Sequence, residues 1–245
     1  MRKILLAIMV QLLVFSIASA EVTEMNKRAY LAVKTKADKG DANSQFALGG
    51  IYYHGILTAK DHAKAAEMYQ KAVDQGHIKA MYNLGVMYHD GDGVKRNPEE
   101  AIMLFEEAAA EGDLKSVIHL AQMYYNGDVI EKDYEKAFKW YKIAADAGYP
   151  MAQSIVGKMY KRGQGVEKNN KLAKKYLVKS SMQSCGEAQL ELGKMYLYGD
   201  GVAQDKEEAE ILLTDAYING KHEAKQILDQ EHWEVKTHGV SLPEE

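Results

Sequence analysis

The stretch AMYNLGVMYHDGDGVKRNPEEAIMLFEEAAAEG, residues 80–112, decides the fold. Ala80, Leu84, Gly85 and Tyr88 follow one another at spacings of four, one and three, which puts them on one stripe of a 3.6-residue helix. A glycine inside that stripe costs roughly 1 kcal/mol of helix propensity against alanine. It needs a reason, and close approach of a second helix supplies one. The glycines of GDG then end the helix, because glycine takes positive φ at little steric cost. Asn97-Pro98-Glu99-Glu100 starts the next helix. Asn97 suits the N-cap, Pro98 the first helical position, and Glu100 completes a capping box. Ala101, Leu104, Phe105 and Ala108 give that second helix an apolar face, and Gly112 closes it.

The same unit recurs every 36 residues without an insertion. Leu84-Gly85 returns as Leu48-Gly49, Leu120-Ala121, Val156-Gly157 and Leu192-Gly193. Tyr52, Tyr88, Tyr124, Tyr160 and Tyr196 keep step four residues later. Asp61, Asn97, Asp133, Asn169 and Asp205 share one phase, and Ala65, Ala101, Ala137, Ala173 and Ala209 another. Only Ser184 interrupts the closing glycines Gly40, Gly76, Gly112, Gly148 and Gly220. A lone helix pair cannot bury both of its faces, whereas stacked neighbours can. The pattern therefore predicts an all-α fold, a right-handed α-solenoid superhelix of tandem helix-turn-helix 36-residue repeats. Five repeats occupy 41–76, 77–112, 113–148, 149–184 and 185–220. A capping helix is expected within 21–40, with Met25–Lys39 as a lone second helix. Another capping helix, from Lys221 to about Trp233, and a tail fill 221–245.

Composition agrees with a folded helical chain. Hydrophobic residues make up 47% of the 245 and prolines number three, so a core is available and helix breakers are scarce. Residues 1–20 read as a secretory signal peptide. Arg2 and Lys3 precede an apolar run from Ile4 to Ile17, and Ala18-Ser19-Ala20 offers a small-x-small cleavage site. The bland alternative is an uncleaved anchor, for which that run is short. Cleavage is expected after Ala20 and places the chain in the periplasm or outside the cell. Loss of Arg2 and Lys3 takes the net charge from −4 to −6. Cys185 is the sole cysteine, so no internal disulfide can form. It reads as an incidental thiol before it reads as a dimer link, and a monomer is expected.

The repeat resembles the Sel-1-like repeat, a relative of the tetratricopeptide repeat. The shared pattern is small-x-x-x-Leu-Gly-x-x-Tyr-x-x-Gly-x-Gly-Val, then an N-cap, Lys-Ala, an aromatic pair, Ala-Ala and Gly. Three local departures stand out: GILTAKD in the first unit, GDVIEKD in the third and KSSMQSCGE in the fourth. Each keeps the unit length. The resemblance implies a non-catalytic protein-binding scaffold, often an adaptor for membrane or envelope complexes. Exported bacterial members include envelope regulators, host-interaction factors and inhibitors or immunity proteins. A cysteine-rich secreted branch does not fit a chain with Cys185 alone.

In such arrays the first helices line a concave wall, and side chains off the core stripe face the groove. One aromatic zone comprises Phe46, Tyr53, Tyr82, His89 and Tyr125. Aromatic rings suit interface anchors because they bury much area with little rotamer entropy. Phe46 and Tyr82 read equally well as packing between repeats. Ser154, Leu190 and Leu197 share these groove phases. A basic zone comprises Lys158, Lys161, Arg162 and Lys194, suited to an acidic partner surface or anionic head groups. Lys168, Lys171, Lys174, Lys175 and Lys179 lie around the second helix and read first as a solvated face. Membrane contact is compatible with this but not required, and nucleic acid is not expected.

No catalytic constellation emerges. The eight histidines form neither HExxH nor a Cys/His cluster, so no metal is expected; a surface pair at His54 and His89 reads first as ordinary polar surface. There is no GxSxG, and GDGVKRN and GQGVEKN follow helices rather than strands, so neither reads as a phosphate loop. No cofactor is expected. The rival readings are an immunity or inhibitor protein, a cell-wall or β-lactam hydrolase, and an architectural protein holding peptidoglycan or lipid.

Overall fold

Each second helix begins where the sequence places its cap. In the computed structural model, which describes residues 24–127 and 130–235, the side chains of Asp61, Asn97, Asp133, Asn169 and Asp205 accept from the backbone N–H three residues on, at 2.9–3.3 Å. Their own N–H groups donate to the carbonyls of Tyr52, Tyr88, Tyr124, Tyr160 and Tyr196 at 2.9–3.0 Å. One residue thus caps the second helix and ties its start to the last turn of the first. That double use explains the strict phase of Asp or Asn against tyrosine. The signal peptide expected at 1–20, cleavage after Ala20, and the tail over 236–245 lie outside the described residues.

The chain divides into two compact units, residues up to Asp113 and residues from Leu114. The first holds α1 (24–38), α2 (Ala42–His54), α3 (His62–Val73), α4 (Ile78–Asp90) and α5 (Pro98–Ala110). The second holds α6 (Leu114–Asn126), α7 (Tyr134–Asp146), α8 (Pro150–Arg162), α9 (Asn170–Ser181), α10 (Gly186–Tyr198), α11 (Lys206–Ile218) and α12 (His222–Gln230). Helices pair as α2 with α3, α4 with α5, α6 with α7, α8 with α9 and α10 with α11. The described residues contain no strand. α1 and α12 lie outside these five pairs. Tyr30 of α1 meets Tyr52 of α2 hydroxyl to hydroxyl at 3.0 Å, and α12 buries Ala224, Ile227 and Leu228.

The helical glycines do what their spacing implied. A Cβ on Gly85 would stand 2.7 Å from the Phe105 ring, and one on Gly49 2.7 Å from Tyr69. Gly157 and Gly193 meet Leu177 and Leu213 in the same way, at 2.7 and 2.9 Å. The large residue of the second helix therefore sinks against bare backbone of the first. Phe105, Leu177 and Leu213 are fully buried as a result. The loop glycines serve a different contact. A Cβ on Gly165 would lie 1.9 Å from the Tyr134 carbonyl oxygen, and one on Gly93 2.4 Å from the His62 backbone. The second glycine of each G-x-G lets that loop rest on the start of the preceding second helix.

Buried glutamines brace the helix ends within and between repeats. Gln45 Nε2 donates to the Ala37 carbonyl at 3.3 Å, and its Oε1 accepts from Gln75 at 2.7 Å. Gln153 repeats the arrangement with Ala145 (3.1 Å) and Gln183 (2.9 Å), and Gln189 accepts from Asn219 at 2.9 Å. Each bridge satisfies a carbonyl or amide near a helix end that burial would otherwise leave unpaired. Met81 and Val117 fill the same phase with apolar contact instead.

Candidate functional site

On the first unit, Tyr53 and His54 end α2, Tyr69 rises from α3, and Tyr82, Asn83, Val86 and Met87 descend one face of α4. Together they line a pocket of about 170 Å³. Tyr69 is 2% exposed, so only part of its ring surface borders the space. Burial raises its hydroxyl pKa, and a hydrogen bond with the Asn83 side chain opposes that rise. Tyr53 stacks on His62 with ring centroids 4.7 Å apart and lies edge-on to His54 at 5.1 Å. His62 in turn bonds Asp92 through Nδ1 and contacts the Tyr53 carbonyl at 3.2 Å through Nε2. Burial raises the Tyr53 pKa, and the carboxylates of Asp92 and Asp90 add to that rise. Tyr82 is likewise raised, by burial and then by Asp113. These phenols stay protonated at neutral pH and present donors together with electron-rich faces.

The structure gathers only part of the aromatic zone expected from sequence. Tyr53 and Tyr82 share this pocket. Phe46 does not line it; its ring stacks on His77 at 4.5 Å and packs against the core around Tyr69. His89 points its Nδ1 to Asp90 at 2.7 Å, outside the lining. Tyr125 belongs to the second unit, edge-on to Tyr134 at 5.3 Å and Tyr141 at 5.9 Å. Sequence reasoning missed Tyr69, Asn83 and Met87, while Val86 shares the groove phase of Lys158 and Lys194. The signal for Tyr69 was its phase, which alternates among Tyr69, Phe105, Tyr141, Leu177 and Leu213 and reads as core.

Three groove assignments require correction. Ser154, Leu190 and Leu197 are 0–3% exposed rather than facing open solvent. α8 packs directly on α10, and Leu190 and Leu197 of α10 join the core built with α11 and α12. The basic zone is corrected too. Lys158 bonds Glu187 at 2.7 Å, and Lys161 bonds Glu191 and Asp200, each at 3.4 Å. Lys194 bonds Glu223 at 2.5 Å and reaches Glu191 at 3.8 Å. Lys221 completes the chain with Glu187 at 2.8 Å. The lysines expected to draw an acidic partner are therefore neutralised by carboxylates from the next first helix. Burial pushes the Glu187 pKa up, yet Lys158 and Lys221 outweigh it and hold the group at about 2. Arg162 is exposed at the end of α8 and belongs to none of these pairs. Lys168, Lys171, Lys175 and Lys179 are exposed around α9, and Lys174 lies over the Tyr196 ring at 4.9 Å.

Among the described residues, no group of three or more His, Cys, Asp or Glu side chains is placed to hold a metal ion. Cys185 is a half-buried free thiol at the start of α10. What the first unit offers is a small ring-lined recess on adjacent first helices, which is the equipment of a binding protein built from helical repeats.

Comparison with known proteins gives that class its family. The Sel1 repeat profile matches residues 42–77, 78–113, 115–149, 150–185 and 186–220, and the chain belongs to the Sel1 repeat family. Sel1 repeats are in general protein-interaction scaffolds. Among solved structures, the chain is similar to a protective antigen of uropathogenic Escherichia coli strains that displays this repeat fold, with 32% identity and a TM-score of 0.75. That match covers 83% of this chain, which spans 45% of the antigen's length. It is similar as well to a Sel1 repeat protein from Oxalobacter formigenes, with 28% identity and a TM-score of 0.67 over 84% of this chain and 81% of that one. An immunity protein of Pseudomonas aeruginosa shares the fold alone, at 24% identity and a TM-score of 0.43 over 75% of this chain and 67% of that one. The comparison with curated proteins returned no match.

Proposed function

We propose that this chain is a non-catalytic, exported binding module that seats a protein partner against the first helices of its repeats. The pocket between α2, α3 and α4 anchors that partner. The observation carrying this reading is the pocket's size and lining. At about 170 Å³ it is smaller than the roughly 300–1,000 Å³ of clefts that enclose free small molecules. It matches a single side chain, and three tyrosines with an asparagine border it. Tyrosine-lined recesses of this kind concentrate binding energy in protein interfaces. Membership of a scaffold family supports the same reading. The basic start, apolar run and small-x-small site of residues 1–20 support export to the bacterial envelope or beyond.

The test is affinity capture from the envelope fraction and its surroundings with residues 21–245, which retain every described helix. Tyr53→Ala and Tyr82→Ala should each lose the captured protein while keeping the helical circular dichroism spectrum. Full retention by both variants would move the site elsewhere. Turnover of a substrate by the pure protein, abolished by one substitution, would end the non-catalytic reading.

A further inference from the structure

We infer that the pocket lined by Tyr53, Tyr69 and Tyr82 receives a cationic side chain of the partner, best an arginine; the inference rests on the binding-module reading above.

Three observations carry it. The first is the lining. The pocket walls are phenol rings with His54, Asn83, Val86 and Met87, and they contain no lysine, arginine or carboxylate. Ring faces attract a cation through their quadrupole, and a planar guanidinium stacks on them while offering donors at its edge. The Asn83 side chain and the phenol oxygens supply acceptors for those donors.

The second is the charge around the lining. Asp92 closes on His62, whose ring stacks on Tyr53, so a carboxylate stands directly behind one wall. Asp90 follows at the end of α4 with its side chain more than half exposed, and Asp113 acts on Tyr82. Residues 24–113 carry fourteen acidic side chains against eleven basic ones. A cation entering from solvent therefore meets electron-rich faces backed by negative charge, whereas an anion meets repulsion.

The third is an internal comparison. Val86 has its 36-residue counterparts in Lys158 of α8 and Lys194 of α10. In the second unit those lysines already fill the phase, and Glu187 and Glu223 clamp them. The fold therefore accommodates a cation at this helical position when a carboxylate is there to clamp it. On the first unit the chain provides valine beside an open recess. The tyrosines of these repeats also take ammonium groups elsewhere, with Lys136 over Tyr124 and Lys174 over Tyr196, both at 4.9 Å.

The experiment titrates isotope-labelled residues 21–245 with N-acetyl-Gly-Arg-Gly-amide and follows the tyrosine ring signals by NMR. The neutral citrulline tripeptide is the control. The arginine peptide should saturate shifts confined to Tyr53, Tyr69 and Tyr82, and citrulline should bind about tenfold more weakly or worse. Val86→Lys, which places the second unit's own cation at the mouth, should abolish the response, while Val86→Leu should keep it. The melting curve of each variant is read beside the titration, so that loss of the response by an unfolded variant is told apart from loss by a folded one. Equal binding of arginine and citrulline overturns the inference, as does an arginine response that spares these rings or survives Val86→Lys. In either case, capture that still depends on Tyr82 would leave the binding-module reading standing. An arginine response without any Tyr82-dependent capture would instead count against that broader reading.

Discussion

Replacing Gly165 by alanine tests how the repeats are held in file. Two costs combine at this position. The residue has φ of +66°, where a β-carbon costs on the order of 1–2 kcal/mol. The added carbon would also stand 1.9 Å from the Tyr134 carbonyl oxygen and 2.2 Å from its carbon, against a floor of 3.0 Å for real contacts. Both partners are backbone, so no rotamer change gives relief. The loop must lift from the start of α7, at roughly 2 kcal/mol or more. Gly148→Ala is the internal control: its φ is +94°, and nothing lies within 4 Å of the added carbon. The control should lose about 1–2 kcal/mol and Gly165→Ala about 3–4 kcal/mol. For a chain of this size the gap corresponds to roughly 4–8 °C in Tm. Thermal and urea unfolding followed by circular dichroism read both. Equal losses would refute the argument, because positive φ alone would then explain Gly165.

Other consequences follow from the same contacts. Asn169→Ala should cost about 1 kcal/mol in urea unfolding, because Asn169 caps α9 through the Leu172 N–H at 3.0 Å. Gln153→Ala should cost about 1–3 kcal/mol, since it strips a buried amide from the Ala145 carbonyl and leaves Gln183 with only the Gly148 and Lys179 carbonyls; Gln153→Met should recover part of it, as Met81 does naturally. Glu187 supplies a pH dependence with a definite sign. Its folded pKa, about 2, lies below its ordinary 4.5, so its contribution is complete above pH 4.5 and vanishes as pH falls towards 2. The Tm advantage of wild type over Glu187→Gln should therefore shrink across that window, and an advantage that grows on acidification would contradict the pairing with Lys158 and Lys221.

Much of the fold was legible because its determinants are local or periodic. Asp61, Asn97, Asp133, Asn169 and Asp205 announce five helix starts by residue type alone, and Gly85 five residues after Ala80 announces a close helix contact. The site was legible only in part. Tyr53 and Tyr82 could be placed on first helices, but their joint pocket depends on Tyr69, whose phase reads as core. The basic zone misled because charge was counted along one repeat. Glu187, Glu191 and Glu223 arrive from the next first helix, 29 or 30 residues on from the lysines they meet. Neighbouring repeats thus meet about two helical turns short of their period, an offset that emerges from packing and not from the repeat alone. The burial of Ser154 and Leu190 was hidden for a similar reason, since α10 packs on α8 and Leu190 joins the core with α11 and α12.

The most direct test of partner binding through the first helices is site-specific photo-crosslinking in cells. A photoreactive residue is placed at Tyr82, in the pocket, or at Met103, 55% exposed on the second helix α5 of the same repeat. The account predicts a discrete protein adduct from position 82 and none from position 103. An adduct from 103 with none from 82 would contradict it.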